Sequence, residues 1–190
     1  MSARSAPRGM TVDEFLAWDD RTGTRYELVD GQPVAMNPPG GPHRTIAANA
    51  ARLIGNALAR GGGPPQGRRP CRPEAPGSVT VASGRWREPD VAVTCQPPGP
   101  TTADPLLLVE VLSPGNRDTD LLEKVPEYKA LPSVGEIWLV ETKQRWVQVW
   151  RRDAAGVWHG TDHAGDAFAS PTLEALVPLD EIYAGSEVAP

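Results

Sequence analysis

Apolar residues recur along this chain in two rhythms. Between His43 and Gly61, the positions Ile46, Ala50, Leu53, Ile54 and Leu58 fall at helical spacing, and Gly61 stands where such a helix stops. A shorter helix is predicted over TVDEFLAW, where Thr11 and Glu14 form a capping-box pattern and Phe15, Leu16 and Trp18 supply an apolar side. The segment RYELVDGQPVAM reads as a hairpin turning at Asp30-Gly31. SVTVA and EPDVAVTC have β-character on either side of a Ser83-Gly84 turn, and EIWLVE and RWVQVWRRD predict two more strands. PLLLVEVL is a short continuous apolar run, as expected for a strand covered on both faces. DTDLLEKVPEYKAL predicts a further helix that starts close before Pro126 or kinks there, since proline is excluded from a regular helix interior.

There is no internal repeat. Helix, hairpin, helix, strands, helix and strands in that order imply one α/β domain on a central mixed sheet, over residues 10–184. Residues 1–9 read as a disordered extension and 185–190 as a fraying tail. Gly62 to Gly77, a run of Gly, Pro and Arg, reads as a solvated loop.

Composition narrows the class. The chain has 190 residues, 39% of them hydrophobic, with 21 Pro and 19 Gly, and a net charge of −5. That length suits a single domain with a core of its own. The acidity excludes a protein that coats nucleic acid by bulk charge, but the charge is uneven. Arg52 to Arg87 carries +6, and the stretch from Asp153 onward carries −7. Arg68, Arg69 and Arg72, within the basic stretch, are candidates for phosphate-backbone contact; a solvated Arg-biased loop is the plainer alternative. Cys71 and Cys95 form no spaced framework and read as two reduced, partly buried thiols. The N-terminus has no apolar signal region and no apolar run approaches a membrane span, so a cytoplasmic protein without a membrane partner is expected.

The chemistry begins with Glu110, centred in PLLLVEVL. A carboxylate on a strand covered on both faces is costly unless it is paired or holds a metal. The preceding strand opens on Pro89-Asp90, so two adjacent strands each bring one acid among hydrophobic residues. Carboxylate and carbonyl oxygens are hard ligands that suit Mg²⁺ or Mn²⁺. The competing reading makes Asp90 a strand cap and pairs Glu110 with an Arg.

Glu27 in YELVDG, Pro89-Asp90, Glu110 in LVEVLSP, and then Asp120, Lys124 and Tyr128 resemble the Uma-type restriction endonucleases of bacteria, within the PD-(D/E)XK nuclease superfamily. PPGGPHR and PSVGEIWLV extend the likeness, which runs from about Met10 to Tyr183. It implies a restriction-endonuclease-like central sheet flanked by helices and metal-dependent hydrolysis of DNA. Asp90, Glu110 and the Val111 carbonyl are implied as ligands of Mg²⁺ (Mn²⁺ is the alternative), with Glu27 on the opposite side. Glu27, Asp90, Glu110 and Lys124 are the implied catalytic set, and no small-molecule cofactor is implied. One departure matters: Leu112 stands where the superfamily signature has lysine, and Lys124 on the following helix is implied in its stead. Asp120, Lys124 and Tyr128 are spaced four apart, roughly along one helical face.

His43, before the first long helix, is a candidate for contact with a nucleic-acid phosphate. His159 and His163 lie among Gly, Thr and Asp and lack the helix and further ligands that a zinc site needs. Trp146, Trp150 and Trp158 read as packing residues. A homodimer is compatible with the resemblance. Two other functions stay open at this point: a catalytically silent, nuclease-like protein that binds nucleic acid or a protein partner, and an enzyme acting on RNA.

Overall fold

A computed structural model describes residues 9–60, 70–115, 118 and 120–188. Helix α1 (Val12–Leu16) carries the capping box, with the Thr11 hydroxyl accepting from the Glu14 N–H and the Glu14 carboxylate accepting from the Thr11 N–H. Strands β1 (Tyr26–Val29) and β2 (Gln32–Ala35) form the predicted hairpin. Its two turn residues, Asp30 and Gly31, have φ of 50° and 76°, the left-handed pair that a tight two-residue hairpin requires. Helix α2 (Gly41–Arg60) buries Ile46, Ala50 and Ile54, the face read from the spacing.

Strands β3 (Arg72–Glu74), β4 (Val79–Ala82), β5 (Arg85–Arg87), β6 (Val91–Thr94) and β7 (Leu107–Leu112) follow. After β7 the helix is not regular. A π-turn (Asp120–Lys124) leads into α3 (Val125–Ala130), and Pro126 falls in the first turn of α3, where its missing N–H costs no helical bond. Then come β8 (Glu136–Glu141), β9 (Val147–Arg152), β10 (Trp158–His163), β11 (Ala167–Ser170), β12 (Ala175–Pro178) and α4 (Leu179–Tyr183).

Six strands make the central sheet in the order β10-β9-β8-β7-β6-β3, and β2-β1-β5-β4 form a second sheet beside it. All described neighbours in the six-stranded sheet are antiparallel except β7 and β8, which run parallel. The chain from Ser113 to Gly135 is the crossover that this parallel pair demands.

The two faces of the central sheet bury different partners. Val91, Val93, Leu107, Val109 and Val111 pack with Ile46, Ala50 and Ile54 of α2 and with Leu179 and Ile182 of α4. Ala92, Leu108, Leu112, Ile137 and Leu139 pack on the other face with Val125 and Tyr128 of the crossover. This is the alternation that a two-sided strand imposes. Phe15, Leu28 and Trp86 form a small third cluster.

Three expectations change. Cys71 and Cys95 are joined in a disulfide, not held as thiols. The reason is register: Arg72 pairs with Thr94, so the next pair outward sets the two cysteines side by side across β3 and β6. The Gly62–Gly77 loop therefore contains a strand, β3, while its residues 62–69 lie outside the described residues. The segment read as a fraying tail is packed as far as Val188, with Ser186 buried and its hydroxyl donating to the Tyr183 carbonyl. The extension at residues 1–8 and residues 189–190 also lie outside the described residues. No helix among those described is long and apolar enough to cross a membrane.

Candidate active site

Two cross-strand pairs and one helix meet at one end of the central sheet. The first pair is Asp90 and Glu110. Val91 pairs with Val109, and continuing that antiparallel register by one residue sets Asp90 opposite Glu110. Glu110 shares the strand parity of Leu108 and Leu112 and projects toward the crossover side, where it meets Tyr128. Asp90 is fixed further by its Oδ2, which accepts the Val111 N–H at 2.7 Å. His43 Nε2 lies 3.3 Å from the same oxygen.

The second pair belongs to the neighbouring sheet. Leu28 pairs with Trp86, and the same register places Glu27 opposite Arg87. Arg87 Nη1 donates to Glu27 Oε2 at 3.0 Å, and the Glu88 N–H donates to Glu27 Oε1 at 3.0 Å. Glu88-Pro89 joins β5 to β6, so one short link carries the chain from the Glu27–Arg87 pair to Asp90.

The helix supplies what joins the pairs. Lys124 Nζ lies 3.0 Å from Glu27 Oε1 and 3.4 Å from Glu110 Oε1. Tyr128, four residues on, donates its hydroxyl to Glu110 Oε1 at 2.6 Å. Glu27, Glu110 and Lys124 are all almost fully buried. Lys124 is thus a buried charge set between Glu27 and Glu110. The helix spacing expected for Lys124 and Tyr128 holds, since both reach Glu110.

On the next stripe of this helix, Glu123 and Glu127 meet Arg87. Arg87 Nε donates to Glu127 Oε2 at 2.7 Å and Nη2 to Glu127 Oε1 at 3.0 Å and Glu123 Oε2 at 3.3 Å. Arg85 adds an ion pair to Glu127 and a two-pronged contact with Asp30 at 2.7 and 2.9 Å. Asp30, Arg85, Glu127, Arg87, Glu27, Lys124 and Glu110 therefore alternate in sign from the surface to the interior. Burial alone works against charge on Arg87, but hydrogen bonding to Glu127 and the charges of Glu27 and Glu127 outweigh it and raise its pKa. Burial likewise works against an ionised Glu127, and Arg87 first, then Arg85, hold its carboxyl below the ordinary range.

The site opens on a cleft. Arg25, Met36, Asn37, Pro38, Pro39 and Ser113 line its mouth beside His43, Asp90, Glu110 and Lys124. A wider hollow of about 340 Å³ adjoins it through Met36, Asn37 and Lys124. PPGGPHR, singled out in the sequence, thus forms one wall.

Of the residues expected here, Glu27, Asp90, Glu110, Val111, Lys124 and His43 are brought together. Val111 takes part through its N–H as well as lying next to Glu110. Arg72 is on β3, ion-paired with Glu74 at 2.5 Å and bonded to the Gln96 carbonyl. Arg68 and Arg69 lie outside the described residues. The basic stretch is also less free than its count suggests, because Arg52, Arg72, Arg85 and Arg87 each face a carboxylate. Arg87 and Glu127 were missed. The signal was an Arg pair spaced i, i+2 just before Pro89-Asp90, facing acids spaced i, i+4 on the helix.

Among the described residues, no three His, Cys, Asp or Glu side chains are gathered as a ready-made metal cage. The donor set is nonetheless compatible with Mg²⁺ or Mn²⁺. Such ions take one or two carboxylates and complete their shell with water and substrate phosphate, and Asp90 and Glu110 offer such a pair at the cleft.

Fold and geometry describe a mixed α/β domain with opposed carboxylates and a lysine at one end of its sheet. The same fold is seen in the crystal structure of a protein from Anabaena variabilis described as a putative nuclease belonging to DUF820. The TM-score is 0.68 at 17% identity, covering 92% of this chain and 97% of that one. Residues 12–180 match the family Uma2, "Putative restriction endonuclease", and the chain belongs to that family. A Synechocystis relative, the uncharacterized protein slr1290, is 26% identical over 181 residues, which span 93% of this chain and 92% of its own length.

Proposed function

We propose that this protein is a divalent-metal-dependent endonuclease that hydrolyses phosphodiester bonds in DNA. The observation that carries the reading is that Asp90 and Glu110 line one cleft, with Asp90 held by the Val111 N–H and Lys124 against Glu110. Membership of the Uma2 family supports it. Asp90 and Glu110, with the Val111 carbonyl, would hold Mg²⁺ or Mn²⁺, and Glu27 would hold the ion or its waters. A divalent ion bound there supplies Lewis acidity and lowers the pKa of a coordinated water.

The chain's own groups do the rest. Lys124 places an ammonium where negative charge grows on the attacked phosphate, which stabilises the transition state more than the bound substrate. Tyr128 orients Glu110, and His43 and the Val111 N–H orient Asp90. Burial of Glu27, Glu110 and Lys124 strengthens each of these interactions relative to water.

Supercoiled plasmid is incubated with the protein in Mg²⁺, Mn²⁺ or EDTA, beside Asp90→Asn and Lys124→Ala. Nicking or linearisation that needs the metal and disappears in both variants is the expected result. Cleavage that persists in Asp90→Asn, or a wild-type protein that cleaves in no metal, overturns the proposal. DNA binding without cleavage would instead support a silent, nuclease-like binding protein.

A further inference from the structure

We propose that Arg87 is the positioning residue of this site, fixing Glu27 and the helix that bears Lys124 in one mutual arrangement; this rests on the nuclease reading for its role in catalysis. Arg87 has a side chain only 1% exposed, and it meets three carboxylates from two elements. The guanidinium is planar and forked, so its N–H groups fix direction as well as charge. Two of them grip Glu127 in a bidentate contact at 2.7 and 3.0 Å, and a third holds Glu27 Oε2 at 3.0 Å.

The other oxygen of Glu27 faces Lys124 at 3.0 Å. Arg87 therefore reaches Lys124 by two routes. One runs through Glu27, and the other through Glu127, three residues further along the same helix. The crossover joins β7 to β8 over more than twenty residues, and its helix could slide or rotate on an apolar sheet face. Two stripes prevent this: Glu110 takes Lys124 and Tyr128, while Arg87 takes Glu123 and Glu127. Both are i, i+4 sets, so together they fix rotation as well as position. An ammonium at position 87 would keep the charge and lose the fork.

The sequence contains three lysines, at 124, 129 and 143. Full-length protein labelled with ¹³Cε-lysine should therefore give three resolvable NMR signals, with that of Lys124 assigned through Lys124→Arg. Arg87→Gln and Glu127→Gln are expected to move the Lys124 signal. In the metal-dependent cleavage assay, Arg87→Gln should lower kcat about 10-fold to 100-fold while KM for DNA changes by less than about threefold, as for a misplaced catalytic group. Arg87→Lys should not restore kcat. A Lys124 signal unmoved in both glutamine variants overturns the inference, as does full rescue by lysine. If Arg87→Gln fails to fold, Glu127→Gln decides, because that carboxylate lies nearer the surface. If the wild-type protein cleaves no DNA, the nuclease reading fails on its own and the NMR result alone judges the positioning.

Discussion

The Asp90 carboxylate accepts a hydrogen bond from the Val111 backbone N–H at 2.7 Å, which ties the entrance of β6 to the residue that follows Glu110. The carboxylate thus serves both as a structural acceptor and as a charge at the cleft. Asparagine can keep the first role and lose the second. Asp90→Asn should stay within about 1 kcal/mol of wild type in urea unfolding, whereas Asp90→Ala should lose about 1–3 kcal/mol by leaving the N–H unmatched. Metal-dependent cleavage should vanish in both, and a stable, active Asp90→Asn would contradict the assignment.

Tyr128→Phe removes the hydroxyl that donates to Glu110 at 2.6 Å and keeps the fully buried ring. The loss should be about 1–3 kcal/mol, because a buried carboxylate gives up a donor. Cleavage should fall with it, by about tenfold, as Glu110 gains freedom. Chemical denaturation and initial rates on plasmid check the two parts separately.

Lys124→Met keeps the bulk and removes the charge between Glu27 and Glu110. Removing one member of a buried ion pair costs about 3–5 kcal/mol. The expected outcome is a clear drop in urea midpoint together with loss of cleavage. A variant as stable as wild type would show that the two carboxylates are neutralised otherwise.

Glu127 gives the protein a defined acid sensitivity. Its pKa is held below the ordinary 4.5 in the folded state, so at acid pH the unfolded chain binds more protons. Its contribution is fully present above 4.5 and is lost as pH falls through the folded value. Urea midpoints of wild type and Glu127→Gln, followed from pH 6 to pH 2, should converge at the acid end. Parallel curves throughout that range would refute this.

The Cys71–Cys95 bridge closes a loop of 24 residues in sequence separation that includes β4 and β5. Chain entropy assigns such a closure about 3 kcal/mol. Cys71→Ser with Cys95→Ser should lower the urea midpoint accordingly, and dithiothreitol should do the same to wild type. Mass spectrometry of the alkylated, unreduced protein checks the pairing directly.

The parts of this fold that were legible in the sequence are those where one physical signal acts alone. The face of α2 follows from Ile46, Ala50 and Ile54, and β7 from its unbroken apolar run. The adjacency of Asp90 and Glu110 followed from each acid sitting in an apolar strand, an expense that needed a reason. Lys124 came from family resemblance, since a lysine fourteen residues from Glu110 carries no local signature. What stayed hidden depends on contacts distant in sequence. Arg87 reads in the sequence as part of the basic stretch offered to phosphates, because its partners Glu123 and Glu127 lie 36 and 40 residues on. The cysteines read as thiols in the sequence because β3, with a proline in its middle, has no β-character of its own. Its pairing comes from β6.

The parallel pairing of β7 with β8 has a consequence for how such a site is assembled. A chain that leaves the end of β7 must return to the start of β8 across one face of the sheet, and here it crosses the face on which Glu110 stands. Whatever residues line the underside of that return path are delivered to the carboxylates by topology, whichever strand or helix they belong to. In this chain the crossover, not the strand, brings the lysine, Lys124, to Glu110. Leu112, two residues after Glu110 on β7, is left to serve the core, where it is completely buried.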